Sequence, residues 1–368
     1  MRLLLLIALA LTACASPTPT AAPATVTPFI IEATGLPATP TAGSVPAASS
    51  TTAAATPTPT EAAAQGVGYV TAEAASPSVL VAVERAGAEF DWPVQTGQGA
   101  EALTTLAQAG ALVVVADGEA LAAATRAAAE AFPNTYFIGV NQVDSQASLP
   151  NLLTLGGEPA REDQAGFMAG AIGGLLTEGR IVTAIGYPAT PAGLKYRNGF
   201  LHGIRFTCSR CRVDFIDSLD QTDGVAVAER ARLNASLSSD VVFAAAGAAG
   251  VQGLQAAAAQ AAWIIGVDPA DENGTFAPGA PGAEQWVTSV YLDPGAAVLN
   301  ALRAFQAGTP LTGQQPLSAA SGALVVAPYR VSEEVFSELD RRDLEALLAR
   351  LADGSLETGI DPASGQER

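Results

Sequence analysis

Short apolar runs rich in valine and isoleucine alternate with alanine-rich stretches of helical spacing from residue 66 onward. Such alternation is typical of βαβ units, which build a parallel sheet. The first series predicts strands at 66–73, 92–98, 111–117, 134–141 and 151–157, with helices at 76–90, 100–110, 119–132 and 159–176. We therefore predict a doubly wound lobe over residues 66–179.

A second series of the same kind begins at residue 180. It predicts strands at 180–187, 212–219, 239–247 and 263–268, with helices at 191–206, 223–237 and 251–261. These elements form a second predicted lobe over 180–285. Residues 286–352 are expected to return to the first lobe and end in a charged helix, and residues 353–368 form a tail. The predicted fold class is α/β, with two doubly wound parallel-sheet lobes and a hinge between them.

The first fourteen residues carry a different pattern. Arg2 precedes a leucine-rich apolar stretch, and a small-residue segment leads into Cys14. This order is typical of a lipoprotein signal peptide, after whose cleavage Cys14 carries the lipid. The stretch is too short to cross a bilayer of about 30 Å as a helix. An ordinary signal peptide with a chance cysteine is the alternative. We expect an extracytoplasmic protein anchored to the cell membrane by its N-terminal lipid.

Residues 15–65 consist almost entirely of alanine, threonine, proline and serine. With so few large apolar side chains, burial cannot offset the conformational entropy that the segment would lose on ordering. Its prolines favour extended conformations. This segment is predicted to be a disordered tether, and the folded part is expected to start near Gly66.

The formal net charge of the chain is −18, and lysine and arginine form no compact cluster. A nucleic acid or an acidic lipid surface is therefore not an expected partner. The N-terminal lipid is the only predicted membrane contact.

Cys208 and Cys211 lie in the segment CSRC, and Cys14 is the third cysteine. Outside the cytoplasm, so close a pair is expected to oxidise to a disulfide between a helix and a strand. The alternatives are a redox-active motif and half of a metal site. Because no second cysteine pair exists and His202 is the only histidine, we predict no metal.

Enzyme motifs are missing from the sequence. No G-x-G-x-x-G segment follows the first strand and no phosphate loop occurs, so no cofactor is predicted. Two carboxylate pairs fall in polar loops or first helical turns, where acidic residues favour the helix dipole. They are Asp268 with Asp271, and Asp220 with Asp223. We predict that the protein is not an enzyme.

A binding site is expected beyond the carboxyl ends of the strands, because loops diverge there and helix N-termini point into the gap. Two facing lobes would place these ends around one cleft for a small molecule. The candidate residues at strand ends are Glu73, Asp117, Asn141, Tyr187, Gly247 and Asp268.

Six segments, taken in order, carry a family resemblance. They are NTYFIGVN, REDQAGFMAGAIGGLL, GRIVTAIGYPATPAGLKYRNGFLHGI, SDVVFAAAGAAGVQGLQAAA, WIIGVD and WVTSV. Together they resemble the basic membrane protein (PnrA-like) family of ABC transporter substrate-binding lipoproteins, which includes purine-nucleoside receptors. The resemblance covers about residues 66–307. It implies a type I periplasmic-binding-protein fold that closes on a nucleoside, with ABC permease subunits as partners.

The resemblance also implies roles for four residues. Asp268 would accept hydrogen bonds from ribose hydroxyls, and Gly247 would let the backbone approach the ligand. Tyr196 stands where the family stacks an aromatic ring on the base, and Asn141 would read a base edge. The alternatives are a helix cap for Asp268, a plain turn for Gly247 and a helix-surface residue for Tyr196.

The chain departs from the family pattern in two places. The motif Asp-x-Ser-Phe-Asn after the first strand is replaced by TAEAASPSVLVA, and no lysine follows Ser289. The fold is therefore expected to carry over, whereas the identity of the ligand is not. The alternative function is a ligand-sensing or scaffold lipoprotein that works without a transporter.

Overall fold

The computed structural model describes residues 65–72, 75–144, 146, 148–222 and 224–368. The predicted signal peptide, Cys14 and nearly all of the tether lie outside these residues. The strands are β1 (Val67–Thr71), β2 (Val94–Gln98), β3 (Val113–Asp117), β4 (Tyr136–Val140), β5 (Leu152–Leu155), β6 (Ile181–Gly186), β7 (Arg212–Asp217), β8 (Val241–Ala245), β9 (Trp263–Gly266), β10 (Trp286–Leu292), β11 (Gly313–Gln315) and β12 (Leu324–Val326). The α-helices are α1 (Pro77–Phe90), α2 (Ala100–Gln108), α3 (Ala122–Ala131), α4 (Glu162–Leu176), α5 (Pro191–Thr207), α6 (Val225–Leu237), α7 (Gly247–Ala258), α8 (Pro269–Asn273), α9 (Pro294–Gln306) and α10 (Glu338–Ala352).

The first sheet has the strand order β11-β5-β4-β3-β1-β2, and all its pairings are parallel. Its side chains alternate between two apolar cores, as the pleat requires. On β3, Val113 and Val115 pack with α1 and α9, whereas Val114 and Ala116 pack with α2 and α3. The sheet is therefore covered by helices on both faces.

The second sheet has the order β12-β10-β9-β8-β6-β7, and only the pairing of β12 with β10 is antiparallel among those described. On β8, Val241 and Phe243 pack with α4, α5 and α10. Val242 and Ala244 face the opposite core, with α6 and α7. Two doubly wound parallel-sheet lobes confirm the predicted fold class.

Helix α4 packs on the second sheet, although its position in the sequence predicts a place in the first lobe. Glycines let it lie directly against α5. A Cβ atom at Gly170 would come within 2.1 Å of the carbonyl oxygen of Phe200, and one at Gly203 within 2.0 Å of that of Phe167. The two backbones are thus in contact, which no larger residue would permit at these positions.

The chain crosses between the sheets after β5, after β10 and after β11. Strand β10 pairs with β9 in the second sheet, and helix α9 then packs against α1 on the first. Strand β11, with the sequence GQQ, is too short and polar to be predicted from periodicity. These three crossings connect the two lobes.

The C-terminal residues 353–368 pack on α4 and α5, although the sequence predicts only a tail. The hydroxyl of Thr358 donates to the buried carboxylate of Asp163. The side-chain amide of Asn198 on α5 donates to the carbonyl oxygen of Gly365 at 2.7 Å. This segment is therefore part of the second lobe's surface.

Cys208 and Cys211 form a disulfide with a Cα–Cα distance of 5.4 Å. The bridge closes the turn between α5 and β7. Every helix in the described part of the chain is too short or too polar to span a bilayer.

Candidate functional site

A cavity of 430 Å³ opens where the carboxyl ends of β9 and β10 meet the helices α1, α5 and α9. Ser78 and Pro294 line it from helices that pack on the first sheet, and Tyr196 lines it from a helix that packs on the second. We call it the interlobe cavity. Its lining residues are Ser78, Tyr196, Val267, Asp268, Pro269, Tyr291, Leu292, Asp293 and Pro294. Both lobes therefore contribute to one site, as a ligand-closing protein requires.

A second cavity of 510 Å³ lies at the carboxyl ends of β8 and β9. Gly247, Asp268 and Asp271 are among its lining residues. We call it the β8–β9 cavity. Because Val267 and Asp268 line both cavities, the two adjoin each other.

Asp268 begins helix α8 and lies on the wall between the cavities. Its Oδ1 accepts a hydrogen bond from the backbone N–H of Ala270 at 2.7 Å, which makes it a helix cap. Pro269 follows at the first helical position, where its fixed φ favours the helix start. No described donor reaches Oδ2, so one carboxylate oxygen stays available to a ligand. The capping role and a binding role are thus compatible.

Tyr196 projects from α5 into the interlobe cavity and is half-buried. Burial raises the pKa of its hydroxyl, and the negative charges of Glu162 and Asp268 raise it further. The hydroxyl therefore stays protonated at neutral pH and can donate a hydrogen bond. The ring offers an apolar face to a flat ligand.

The position of Tyr196 is fixed by the start of α5. The hydroxyl oxygen of Thr190 accepts from the N–H of Gly193 at 3.1 Å and caps the helix. The neighbouring Lys195 is buried, with its ammonium 2.6 Å from Glu162 and donating at 2.7 Å to the carbonyl oxygen of Ala160. Sequence reasoning missed Lys195, because a lysine in an amphipathic helix normally lies on its exposed face.

Gly247 and Asn141 both have left-handed backbone conformations. Gly247 starts α7 with a φ of 57° and lines the β8–β9 cavity. Asn141 follows β4 with a φ of 55° and is exposed, but it lines neither cavity. The structure thus brings Tyr196, Gly247 and Asp268 together around adjoining cavities and leaves Asn141 on the first sheet outside them.

Asp117 has a structural role at the end of β3. Its buried carboxylate accepts from the hydroxyl of Tyr69 at 2.8 Å and from the N–H of Ser76 at 2.9 Å. Burial raises the pKa of Tyr69, and the hydrogen bond to Asp117 raises it further. The carboxylate therefore holds the segment that leads into α1.

Tyr187 is half-buried and packs against the core beside α6 and α7. The predicted strand-end candidate Glu73 lies outside the described residues, as does Asp223 of one carboxylate pair. In the other pair, burial and then the charge of Asp268 raise the pKa of Asp271. No described histidine or cysteine lines either cavity with these carboxylates.

Sequence reasoning missed Tyr291 and Asp293 at the end of β10. Both line the interlobe cavity. Burial raises the pKa of Tyr291, and the charges of Asp293, Glu272 and Asp268 add to the shift in that order. The strand-end rule would have identified both residues if β10 had been predicted inside the second sheet instead of as a return crossing.

Comparison with known proteins identifies the family. The family described as ABC transporter substrate-binding protein PnrA-like matches residues 62–311. A solved ABC transporter solute-binding protein from Conexibacter woesei is 23% identical with a TM-score of 0.57, over 80% of this chain and 98% of that chain. A transcriptional activator of the comK gene from Bacillus halodurans is 16% identical with a TM-score of 0.54, over 79% of this chain and 99% of that chain.

At these identities the two solved structures support the fold alone. No curated protein has significant sequence similarity to the chain. The family match covers more than half of the chain and includes both cavities. The chain therefore belongs to the PnrA-like family of ABC transporter substrate-binding proteins, which are extracytoplasmic solute binders and not enzymes.

Proposed function

We propose that this chain is the solute-binding lipoprotein of an ABC importer, that acyl chains on Cys14 hold it to the membrane, and that its solute is a nucleoside. The observation that carries the ligand proposal is the placement of Tyr196 and Asp268 on one cavity with contributions from both lobes. An aromatic ring beside a carboxylate suits a flat base joined to a sugar.

The chemistry of the two side chains supports this ligand. A base stacked on an aromatic ring gains about 1–3 kcal/mol. A carboxylate is acceptor-only, and the unpaired Oδ2 of Asp268 can accept from a sugar hydroxyl. The volume of 430 Å³ falls within the range of about 300–1,000 Å³ that small-molecule sites occupy.

Ligand binding would favour the closed arrangement of the lobes. A solute in the interlobe cavity can contact Ser78 and Pro294 on one side and Tyr196 and Asp268 on the other. It stabilises the closed form by the difference between its affinities for the two forms. The permease would then distinguish the closed, loaded protein from the open one.

Isothermal titration calorimetry with the purified chain tests the proposal. Nucleosides, free bases and ribose are compared on the native protein, on Asp268→Asn and on Glu345→Gln. Asparagine keeps an oxygen for the cap on Ala270 but loses the charge, so nucleoside affinity should fall about tenfold or more. Glu345→Gln changes an exposed carboxylate on α10 and should bind normally. Unchanged nucleoside affinity in Asp268→Asn, or no heat from any nucleoside on the native protein, contradicts the proposal.

A further inference from the structure

The charged side chains that line the interlobe cavity are both acidic. They are Asp268, after β9, and Asp293, after β10. No lysine, arginine or histidine of the described residues lines this cavity. A ligand that enters it therefore meets carboxylates without a compensating cation.

Each of these carboxylates keeps one oxygen free. The Oδ1 of Asp268 accepts from Ala270 and that of Asp293 accepts from Gly295, at 2.7 and 2.8 Å. Neither Oδ2 has a donor among the described residues. The helix N-termini that the two residues cap carry about half a positive elementary charge each, which is less than the full charge of a carboxylate. The electrostatic balance at the cavity wall is therefore negative.

Two basic side chains on segments around the cavity have other partners. The ammonium of Lys195 is paired with Glu162. The guanidinium of Arg330 donates to the carbonyl oxygens of Glu272 and Phe276 at 3.2 and 2.9 Å. Among the described contacts, neither group forms a hydrogen bond or an ion pair with the carboxylate of Asp268 or Asp293.

Additional negative charge lies behind the cavity wall. Glu272 sits on α8 and accepts from the hydroxyl of Ser289 at 2.8 Å. Burial raises the pKa of Tyr291, and the charges of Asp293, Glu272 and Asp268 raise it further. A cleft lined by charges of one sign concentrates their electric field and attracts ligands of the opposite charge.

The chemistry of the wall favours an organic cation over a metal ion. Within the described residues, no group of three or more histidine, cysteine or acidic side chains could hold a metal. Tyr196 and Tyr291 add two aromatic rings to the same cavity. Aromatic faces attract ammonium groups, which also donate hydrogen bonds to carboxylates.

We propose that the solute carries a protonated amino group and that Asp293, together with Asp268, selects it over the neutral and the phosphorylated compound. This inference rests on one part of the proposed function, that a solute binds in the interlobe cavity, and it applies whether or not that solute contains a base. It makes Asp293 a specificity-determining residue. Asp293 follows the strand after which the family pattern has a lysine, and this chain has no lysine there.

Calorimetry on the full-length chain in detergent tests the inference with two matched series. One is adenosine, 5′-amino-5′-deoxyadenosine and adenosine 5′-monophosphate, and the other is glucose, glucosamine and glucose 6-phosphate. In at least one series, the amino compound should bind about tenfold or more tightly than its neutral parent, because hydrogen bonds to charged partners are the stronger ones. The phosphate should not bind measurably.

The variant Asp293→Asn then isolates the selecting charge. Asparagine retains an oxygen for the cap on Gly295, so the preference for the amino compound should fall to less than about threefold while the fold is kept. If neutral parents bind as tightly as amino compounds, the inference fails and solute binding in the cavity stands. If Asp293→Asn keeps the full preference, Asp293 is not the selecting residue and the inference fails. If no compound of either series binds, both the inference and the nucleoside proposal fail.

Discussion

The ammonium group of Lys195 lies 2.6 Å from the carboxylate of Glu162, and the lysine side chain is 1% exposed. This ion pair joins the N-terminus of α4 to α5 directly beside Tyr196. The same ammonium donates to the carbonyl oxygen of Ala160, so the charge is both paired and hydrogen-bonded. The ion pair therefore fixes α4 against α5 beside the interlobe cavity. Because its ammonium group is already paired, Lys195 is not available to a ligand.

Removal of Lys195 should destabilise the protein. Lys195→Met leaves the half-buried carboxylate of Glu162 without its partner, which should cost about 1–3 kcal/mol. The double variant Lys195→Met/Glu162→Gln should recover much of that loss, because it removes both charges. Urea unfolding followed by circular dichroism measures both variants. Equal stabilities of the single and the double variant would show that the pair is not coupled.

The sequence predicts the two-lobe fold well because βαβ alternation is a local pattern. It misplaces α4, because the run from β5 into α4 continues that alternation without a break. Tertiary contacts, such as that of Gly170 with Phe200, assign the helix to the second lobe. Such backbone contacts join separate helices, and the hydrophobic periodicity of the sequence does not predict them.

The site is predicted less completely than the fold. Family resemblance and strand ends point to Asp268 and Gly247, which lie on adjoining cavities. Asn141 follows β4 on the first sheet, beside Gly156 at the end of β5, and lines neither cavity. Asp293 was missed because the sequence predicts β10 as a return crossing, whereas β10 pairs with β9 inside the second sheet.

Asp268→Ala should severely weaken or abolish ligand binding without unfolding the protein. Alanine removes the free Oδ2 and the cap on α8, and loss of a helix cap costs about 1 kcal/mol. That cost is small compared with the stability of a domain of this size. Calorimetry with the best nucleoside, paired with a thermal melt, separates the two effects. Binding that survives in a folded Asp268→Ala protein would remove this residue from the site.

Cys14→Ser should release the protein from the membrane. Serine cannot accept the thioether-linked lipid, and no other membrane contact is predicted from the acidic sequence. Cell fractionation of the native and the variant chain measures the change, with metabolic labelling by radioactive palmitate as the direct readout. Labelling that persists in Cys14→Ser would contradict the predicted lipid anchor.

The C-terminal segment 353–368 should contribute to the stability of α5 through close contact at Gly365. A Cβ atom there would lie 2.8 Å from the Cβ atom of Leu194 and 2.9 Å from the backbone nitrogen of Lys195. Gly354 in the same segment is a matched control, since its φ of 75° is close to the 76° of Gly365 and a Cβ atom would meet nothing within 4 Å.

Both Gly365→Ala and Gly354→Ala carry the same backbone strain, of about 1 kcal/mol. Only Gly365→Ala also forces the segment away from α5, where Asn198 donates to the carbonyl oxygen of Gly365. We expect it to lose about 1–3 kcal/mol more than Gly354→Ala in urea unfolding, since overpacking costs that much. Limited proteolysis should then cleave the C-terminal segment faster in Gly365→Ala than in Gly354→Ala. Equal stability and equal cleavage of the two variants would mean that the segment does not hold α5.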